Sequence, residues 1–463
     1  MITYQDLLAV TEDDLIEFVR ATITKYKSSD EYKNAVIASD YDRQKNTTIS
    51  EYRKLLYTMA GNTVPDNWSA NFKIPSGFYG FFVIQQNQFL LGNGITWKDQ
   101  DAADKAFGKK HDVQIQKAGH KAVSLKVAFV FYNKDHLEVF DPLDFIPLYD
   151  EETGHLMAGI RFWQIDPKKP LRAVLYELDG YTEFIWRETE GEIYREKDHY
   201  ITNYIHSEVD GTEIVDKQNY PSFPIVPLWG NPNHQCELDG KRESIDAYDL
   251  IKSGFANDLD DASQIYWTIQ NAGGMDDIDL VKFLERMHTV KAAVVEDGGA
   301  KAESHTIDVP YAAREAALDR IEKDLYRDFM AFNPQDIAGG AVTATQIKAA
   351  YEPLNTKCDQ YEYCVHECLD ALCALAGMED NEATFTRSMI VNTQEEISIL
   401  VSAAQYLEED YLIRKILTLL GDGDMADELI EKIKNEKAMA LEVQKEIFGD
   451  QDEEEPEEEE IEE

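Results

Sequence analysis

Four of the five cysteines fall close together, at Cys358, Cys364, Cys368 and Cys373, and the run His366-Glu-Cys-Leu-Asp370 lies among them. A helix carrying His-Glu-x-x-His would hold zinc and supply a general base. Here Asp370 stands where the second histidine belongs, and two ligands at that spacing do not hold a catalytic zinc. The amino terminus, Met-Ile-Thr-Tyr-Gln-Asp-Leu-Leu8, lacks the cationic-then-apolar order of a secretory leader. The expectation is therefore a reducing cytosol with buried, reduced thiols rather than disulfides or a redox site.

Other chemistries fail on spacing. Gly108-Lys-Lys110 and Gly240-Lys-Arg242 lack the first glycine and the hydroxyl of a phosphate-cradling loop. Gly92-Asn-Gly94 lacks the third glycine of a dinucleotide fingerprint and reads as a turn. No Gly-x-Ser-x-Gly elbow occurs. Carboxylates are so abundant that no pair of them singles itself out as acid and base. The expectation is a protein that is not an enzyme and needs no cofactor or metal.

The elements that would have to position any site are more informative. Between Tyr311 and Gly377 the pattern predicts a helix, a glycine break and a second helix of about 30 residues. Leu318, Ile321, Leu325 and Phe329 recur at helical spacing in the first. Ile347, Leu354, Cys358, Tyr361, Val365 and Leu372 mark the same stripe in the second, so each helix has one face to bury. In the connection, Pro334 is expected to stop the first helix, Gly339-Gly340 to supply positive φ, and Thr343 or Thr345 to cap the second. Pro353 should kink the long helix.

Upstream, residues 1 to about 60 read as helical and 71–97 as mixed. Residues 121–230 read as an antiparallel meander with strands at Val123–Tyr132, His136–Phe140, His155–Gln164, Leu171–Leu178 and Thr182–Arg187. A helix is expected over Glu243–Tyr266, with Ile245, Tyr248, Phe255 and Leu259 on its stripe. A small module over 267–310 follows, with a short helix near Val281–Arg286 and a hairpin of His288–Val295 with Ala302–Val309. The flanking helices would run antiparallel and carry it. A strand over Ala383–Val391 and helices from Thr393, broken at Gly421-Asp-Gly-Asp424, complete the chain. The final 450–463 should be a disordered acidic tail.

The 463 residues suffice for two to four domains, and 43% hydrophobic content with 24 tyrosines argues against global disorder. Net charge is −44. Removing the ten acids of the last thirteen residues still leaves −34 on the rest. Such a surface repels phosphate and disfavours gripping nucleic acid through a basic patch, yet it suits a wall past which DNA merely slides. No run reaches the length of a membrane span.

Order and spacing together carry a resemblance. Pro224-Ile-Val-Pro-Leu-Trp-Gly-Asn-Pro-Asn233, then Ser244-Ile-Asp-Ala-Tyr-Asp-Leu250, the small module, the Gly-Gly loop before the long helix and Phe385-Thr-Arg387 follow one another. Over nearly its whole length the chain resembles the portal proteins of tailed bacteriophages, the type found in long-tailed phages of Gram-positive hosts. One departure is Ala341-Val-Thr-Ala-Thr-Gln-Ile-Lys348, where that family often shows Ser-Gly-x-Ala-Leu-Lys.

The resemblance implies an α+β, portal-like subunit. Its parts would be a wing with an antiparallel β-rich region (1–242), stem helices at 243–266 and 311–333, a small αβ clip (267–310) and a tunnel loop (334–345). A long kinked helix with a returning wing strand (346–391), a helical crown (392–449) and the tail would follow. It implies a ring of about twelve copies at one capsid vertex, with double-stranded DNA passing non-specifically through it. Implied partners are the terminase large subunit, a head-completion or adaptor protein, and the major capsid and scaffold proteins. The channel would be lined by Gln335, Asp336, Ile337, Ala338, Gly339, Gly340, Ala341, Val342 and Thr343. Docking would use Met275, Asp276, Asp277, Asp297 and Gly298. The alternative expectation is another structural or scaffold protein of a phage, using the helix–module–helix segment as an interaction arm.

Overall fold

The computed structural model describes residues 2–57, 62–65, 71–187, 191–194, 197–200, 203–209, 212–262, 266–270, 301–305, 311–337, 343–389, 393–420 and 426–448. The chain divides into two compact units, Met1–Phe332 with Pro353–Ser388, and Asn333–Glu352 with Met389–Glu463.

In the first unit a five-stranded path runs Gly191–Tyr194, Gly180–Arg187, Leu171–Tyr176, Leu156–Trp163, Phe145–Tyr149, with Asp198–His199 beside the second strand. Every strand pair among the described residues is antiparallel. Alternation explains how this sheet is covered on both sides. Ile146 and Leu148, Ala158 and Ile160, Ala173 and Leu175 point to one face and pack with Leu7, Val19 and Ile23 of the amino-terminal helices. Phe145, Val174 and Tyr176 point to the other face and join the larger core. A three-stranded sheet beside it orders Ile225–Trp229, Val127–Asn133, His136–Phe140, so the segment quoted above for its family likeness pairs with a buried strand.

The mixed helix-and-sheet class holds, but helices claim more of residues 71–125 than expected. Phe78–Leu91, Gln100–Phe107 and His111–Leu125 are helices. The expected strand Val123–Tyr132 is corrected: the helix runs to Leu125, Lys126 turns the chain at φ 84°, and the strand begins at Val127. Phe78–Leu91 carries no charge and is apolar nearly all round, so no periodicity marks it; only its 14-residue length betrays a helix.

Helix Arg242–Ala262 ends four residues short of Tyr266. Tyr266–Gln270 is instead a strand paired with Lys301–His305. The expected strand His288–Val295 and the short helix at 281–286 lie outside the described residues. The second helix spans Tyr311–Asp328 and the long helix Ala344–Ala376, continuous through Pro353. The returning strand is short, Ala383–Phe385 against Ile95–Trp97.

The second unit holds helices Thr393–Ser402, Glu409–Leu420 and Ala426–Phe448. The break at 421–424 and the tail fall outside the described residues. Lys437 pairs with Glu409, and Arg414 with Asp427, which fixes the last two helices as antiparallel. Such exposed pairs set register more than they stabilise.

Candidate functional site

The candidate site is the pair of helices Arg242–Ala262 and Tyr311–Asp328 with the long helix from Pro353 onward; the loop from Asn333 and the start of the long helix belong to the other compact unit. The apolar stripe expected for the first helix docks in part: Ile245 is buried and Tyr248 meets Phe78 edge-on at 4.9 Å, while Leu259 is exposed. Its buried line is Ile245, Asp249, Ser253 and Asn257, one residue per turn. Three of these are polar, and each receives a backbone amide from an extended segment lying alongside. Phe72 N–H donates to Asn257 Oδ1 at 2.6 Å, Ile74 N–H to Ser253 Oγ at 3.0 Å, and Ser76 N–H to Asp249 Oδ1 at 2.8 Å. The two periods nearly match: four helical residues rise about 6.0 Å, and two extended residues about 6.6 Å. Asp249 Oδ2 also accepts from Asn46 Nδ2 at 2.8 Å. Burial holds the Asp249 carboxyl above its ordinary range, against those hydrogen bonds.

The two helices run antiparallel. Arg314 pairs with Asp258, and Tyr311 meets Phe255 edge-on at 5.7 Å. At the other end Tyr248 lies beside Glu322 and Asp319; its phenol is pushed up first by burial and then by those acids. The second helix stops before Pro334, contrary to expectation. Ala331 N–H donates to Tyr326 O at 2.9 Å and Met330 N–H to Arg327 O at 3.0 Å, with Met330 at φ 50°. This is a Schellman closure with methionine where glycine is usual.

A buried charge cluster sits where these parts converge. Glu237 precedes the first helix and is 8% exposed. Its Oε2 lies 2.9 Å from Lys241 Nζ and 3.0 Å from Lys357 Nζ of the long helix. The Lys241 ammonium also lies 4.5 Å from the centre of the Phe329 ring. Burial works against the charge on Glu237, and the two lysines overcome it, leaving its carboxyl below the usual range. Burial also depresses the Lys357 ammonium, with Glu237 opposing.

Thr343 caps the long helix. Gln346 N–H donates to Thr343 Oγ1 at 3.3 Å, and Thr343 N–H to Gln346 Oε1 at 3.1 Å, a reciprocal capping box. The expected stripe is buried at Leu354, Cys358, Tyr361, Val365, Cys368 and Leu372. The thiols behave as small apolar side chains. Burial pushes Cys358 up to about 12, and Cys364 and Cys373 up to about 11. His366 packs edge-on against Phe385 at 5.1 Å. No group of three potential ligands for a metal ion occurs among the described residues. Arg387 of the returning chain closes on Asp359, on Glu362 at 2.6 Å and on Asn355 Oδ1 at 3.2 Å.

Of the expected channel residues, Gln335, Asp336 and Ile337 form a 3-10 turn, the first two exposed. Its start is set by Asn333, whose Oδ1 accepts from Gln335 N–H at 3.0 Å. Thr343 is exposed at the helix cap. Ala338, Gly339, Gly340, Ala341 and Val342 lie outside the described residues, as do Met275, Asp276, Asp277, Asp297 and Gly298. Sequence reasoning missed the polar line on the first helix and the Glu237 cluster. For the first, hydrogen-bonding side chains at positions 249, 253 and 257 were the available signal.

The geometry defines a structural element: a helical hairpin rooted in a mixed helix–sheet body, against which the long helix from Pro353 onward packs. Among the described residues no helix is long and apolar enough to cross a membrane. The profile of the family described as phage portal protein, SPP1 Gp6-like, matches residues 16–443. The chain belongs to that family of phage portal proteins. The portal protein of Bacillus phage SPP1 is 24% identical over 331 residues, 68% of this chain and 64% of that protein. The portal protein of Clostridium phage phiCD119 is 25% identical over 209 residues, 43% and 46% of the two chains. Each alignment spans less than two thirds of the relative's length.

Proposed function

We propose that copies of this chain close into a ring at one vertex of a phage capsid, and that double-stranded DNA enters and leaves through its bore. The observation that carries this reading is the family match across residues 16–443, which takes in the hairpin, the loop and the long helix. The loop starting at Asn333 narrows the bore, with Gln335 to Thr343 facing the DNA. From Asn333 to Gln346 there is no lysine or arginine to grip a phosphate. With −44 on each copy, a passing duplex meets a wall of its own sign and is not retained. The segment 267–310 projects as a clip. It receives the packaging motor, whose large subunit hydrolyses ATP, and later a head-completion protein, through Met275, Asp276, Asp277, Asp297 and Gly298. The capsid and scaffold proteins surround the wing. The subunit itself does no covalent chemistry.

Solution mass with electron-microscopic class averages tests the reading. About twelve copies of 52.9 kDa make roughly 630 kDa, expected as a closed ring with a central hole. A stable dimer or tetramer overturns it.

A further inference from the structure

The residue that immediately precedes the loop is held by a side chain from a distant helix. Gln85, on Phe78–Leu91, turns both ends of its amide to the backbone of Phe332. Its Oε1 accepts from Phe332 N–H at 2.9 Å, and its Nε2 donates to Phe332 O at 2.9 Å. One planar amide facing both polar groups of one residue fixes the direction of the chain there, as a strand partner would. Three residues earlier the hold is repeated from another side. Lys357 Nζ donates to Phe329 O at 3.0 Å, and the Phe329 ring stacks on Phe82 at 4.6 Å. Between the two holds sits Met330 in the left-handed region, a conformation that persists in a non-glycine residue only where its surroundings enforce it.

Gln85 stands out on its own helix too. Gln85, Gln86, Asn87 and Gln88 are four consecutive carboxamides in an otherwise apolar run. Asn87 spends its amide within the core, on Gln116 O at 2.9 Å and the Tyr361 hydroxyl at 3.1 Å. Gln85, unlike Asn87, reaches the chain that leaves the hairpin.

We propose that Gln85 is a positioning residue for the channel. With Lys357 it clamps residues 329–332, so that the chain is held at a fixed point just before the loop begins. This rests on the portal reading for its consequence, though the clamp itself can be measured without it. The clamp sets where the loop begins; it does not hold the protein together.

The test compares Gln85→Leu and Gln85→Glu in the full chain. Leucine keeps the bulk and loses both hydrogen bonds; glutamate keeps the acceptor for Phe332 N–H and loses the donor. Hydrogen exchange of the peptide containing Phe332 is expected to quicken about tenfold in the leucine variant and less in the glutamate variant. Ring mass should stay near wild type and the unfolding midpoint should fall modestly, more in the leucine variant, while DNA packaged per particle falls severalfold in the same order. Unchanged exchange in both variants overturns the clamp. Faster exchange with undiminished packaging overturns its positioning role. If the leucine variant does not fold, the glutamate variant decides: wild-type exchange and wild-type packaging together sink the proposal. A wild-type chain that forms no ring counts against the portal reading alone, and the exchange result still stands.

Discussion

Glu237→Gln removes one charge from the centre of a buried cluster and leaves two ammonium groups facing an uncharged amide. At 2.9 and 3.0 Å, each ion pair is worth roughly 5–6 kcal/mol of attraction at an effective dielectric constant near 20. Desolvation of Glu237 and Lys357 cancels most of that gross sum. What remains decisive is the uncompensated charge, because Lys357 is 11% exposed and cannot recover its water. Removing one partner of such a pair costs about 3–5 kcal/mol. Lys357→Met should cost less, about 1–2 kcal/mol, since Lys241 still serves Glu237. The double variant Glu237→Gln, Lys357→Met should then be more stable than Glu237→Gln alone. Urea unfolding of the four proteins, read as a double-mutant cycle, measures this. The pH dependence has a definite sign. The folded Glu237 carboxyl is depressed below 4.5, so its contribution is present above that value and fades as pH falls through the folded value. Wild type and Glu237→Gln should therefore converge in acid. A loss under about 1 kcal/mol near pH 7, or a double variant no better than the single, would refute the reasoning.

Asp144 is pushed up from 3.8 to about 6, first by burial and then by Asp141. Wild type should lose at most about 3 kcal/mol as pH rises from roughly 4 to 6, and Asp144→Asn should not; melting against pH decides. Gly119→Ala places a Cβ against the Tyr361 hydroxyl, Asn87 Oδ1 and Leu91 Cδ1, where three helices meet. Overpacking of about 1–3 kcal/mol is expected in chemical denaturation, and a neutral result would show that the long helix can shift. Replacing Gly339 and Gly340 together by valine should leave ring mass unchanged and lower packaged DNA severalfold; loss of rings would make that loop structural.

Much of the helical hairpin and the long helix was legible because their burial is one-sided. Leu354, Cys358, Tyr361 and Val365 repeat at the helical period, and burial follows them. The meander strands were legible for the matching reason, alternation between flanking turns. Phe78–Leu91 was not, because its exposed face carries Phe81 and Ile84 and so shows no polar period. The first hairpin helix was read only in part: Ile245 is buried as its stripe requires, but Asp249, Ser253 and Asn257 are satisfied by backbone and behave as core. The end of the second helix was misread because Met330 adopts a glycine conformation that no residue type announces. Gln85 and Glu237 were invisible for a plainer reason. Phe332, the partner of Gln85, and Lys357, a partner of Glu237, lie more than a hundred residues away, and the local Glu237–Lys241 spacing looks like any surface ion pair.

The match in period between Phe72–Ser76 and the first hairpin helix has a mechanical meaning. Three hydrogen bonds join two parallel rods at equal intervals, and all three point across the common axis. A pull along that axis loads them in shear, so they must fail together; a pull from one end would peel them one by one. The helix can therefore be tilted away with modest work but resists sliding. Sliding by one turn would set Ile245, which accepts no hydrogen bond, against the Ser76 amide now held by Asp249. The rung spacing thus acts as a stop that fixes the height of the hairpin on its body while leaving its lean adjustable.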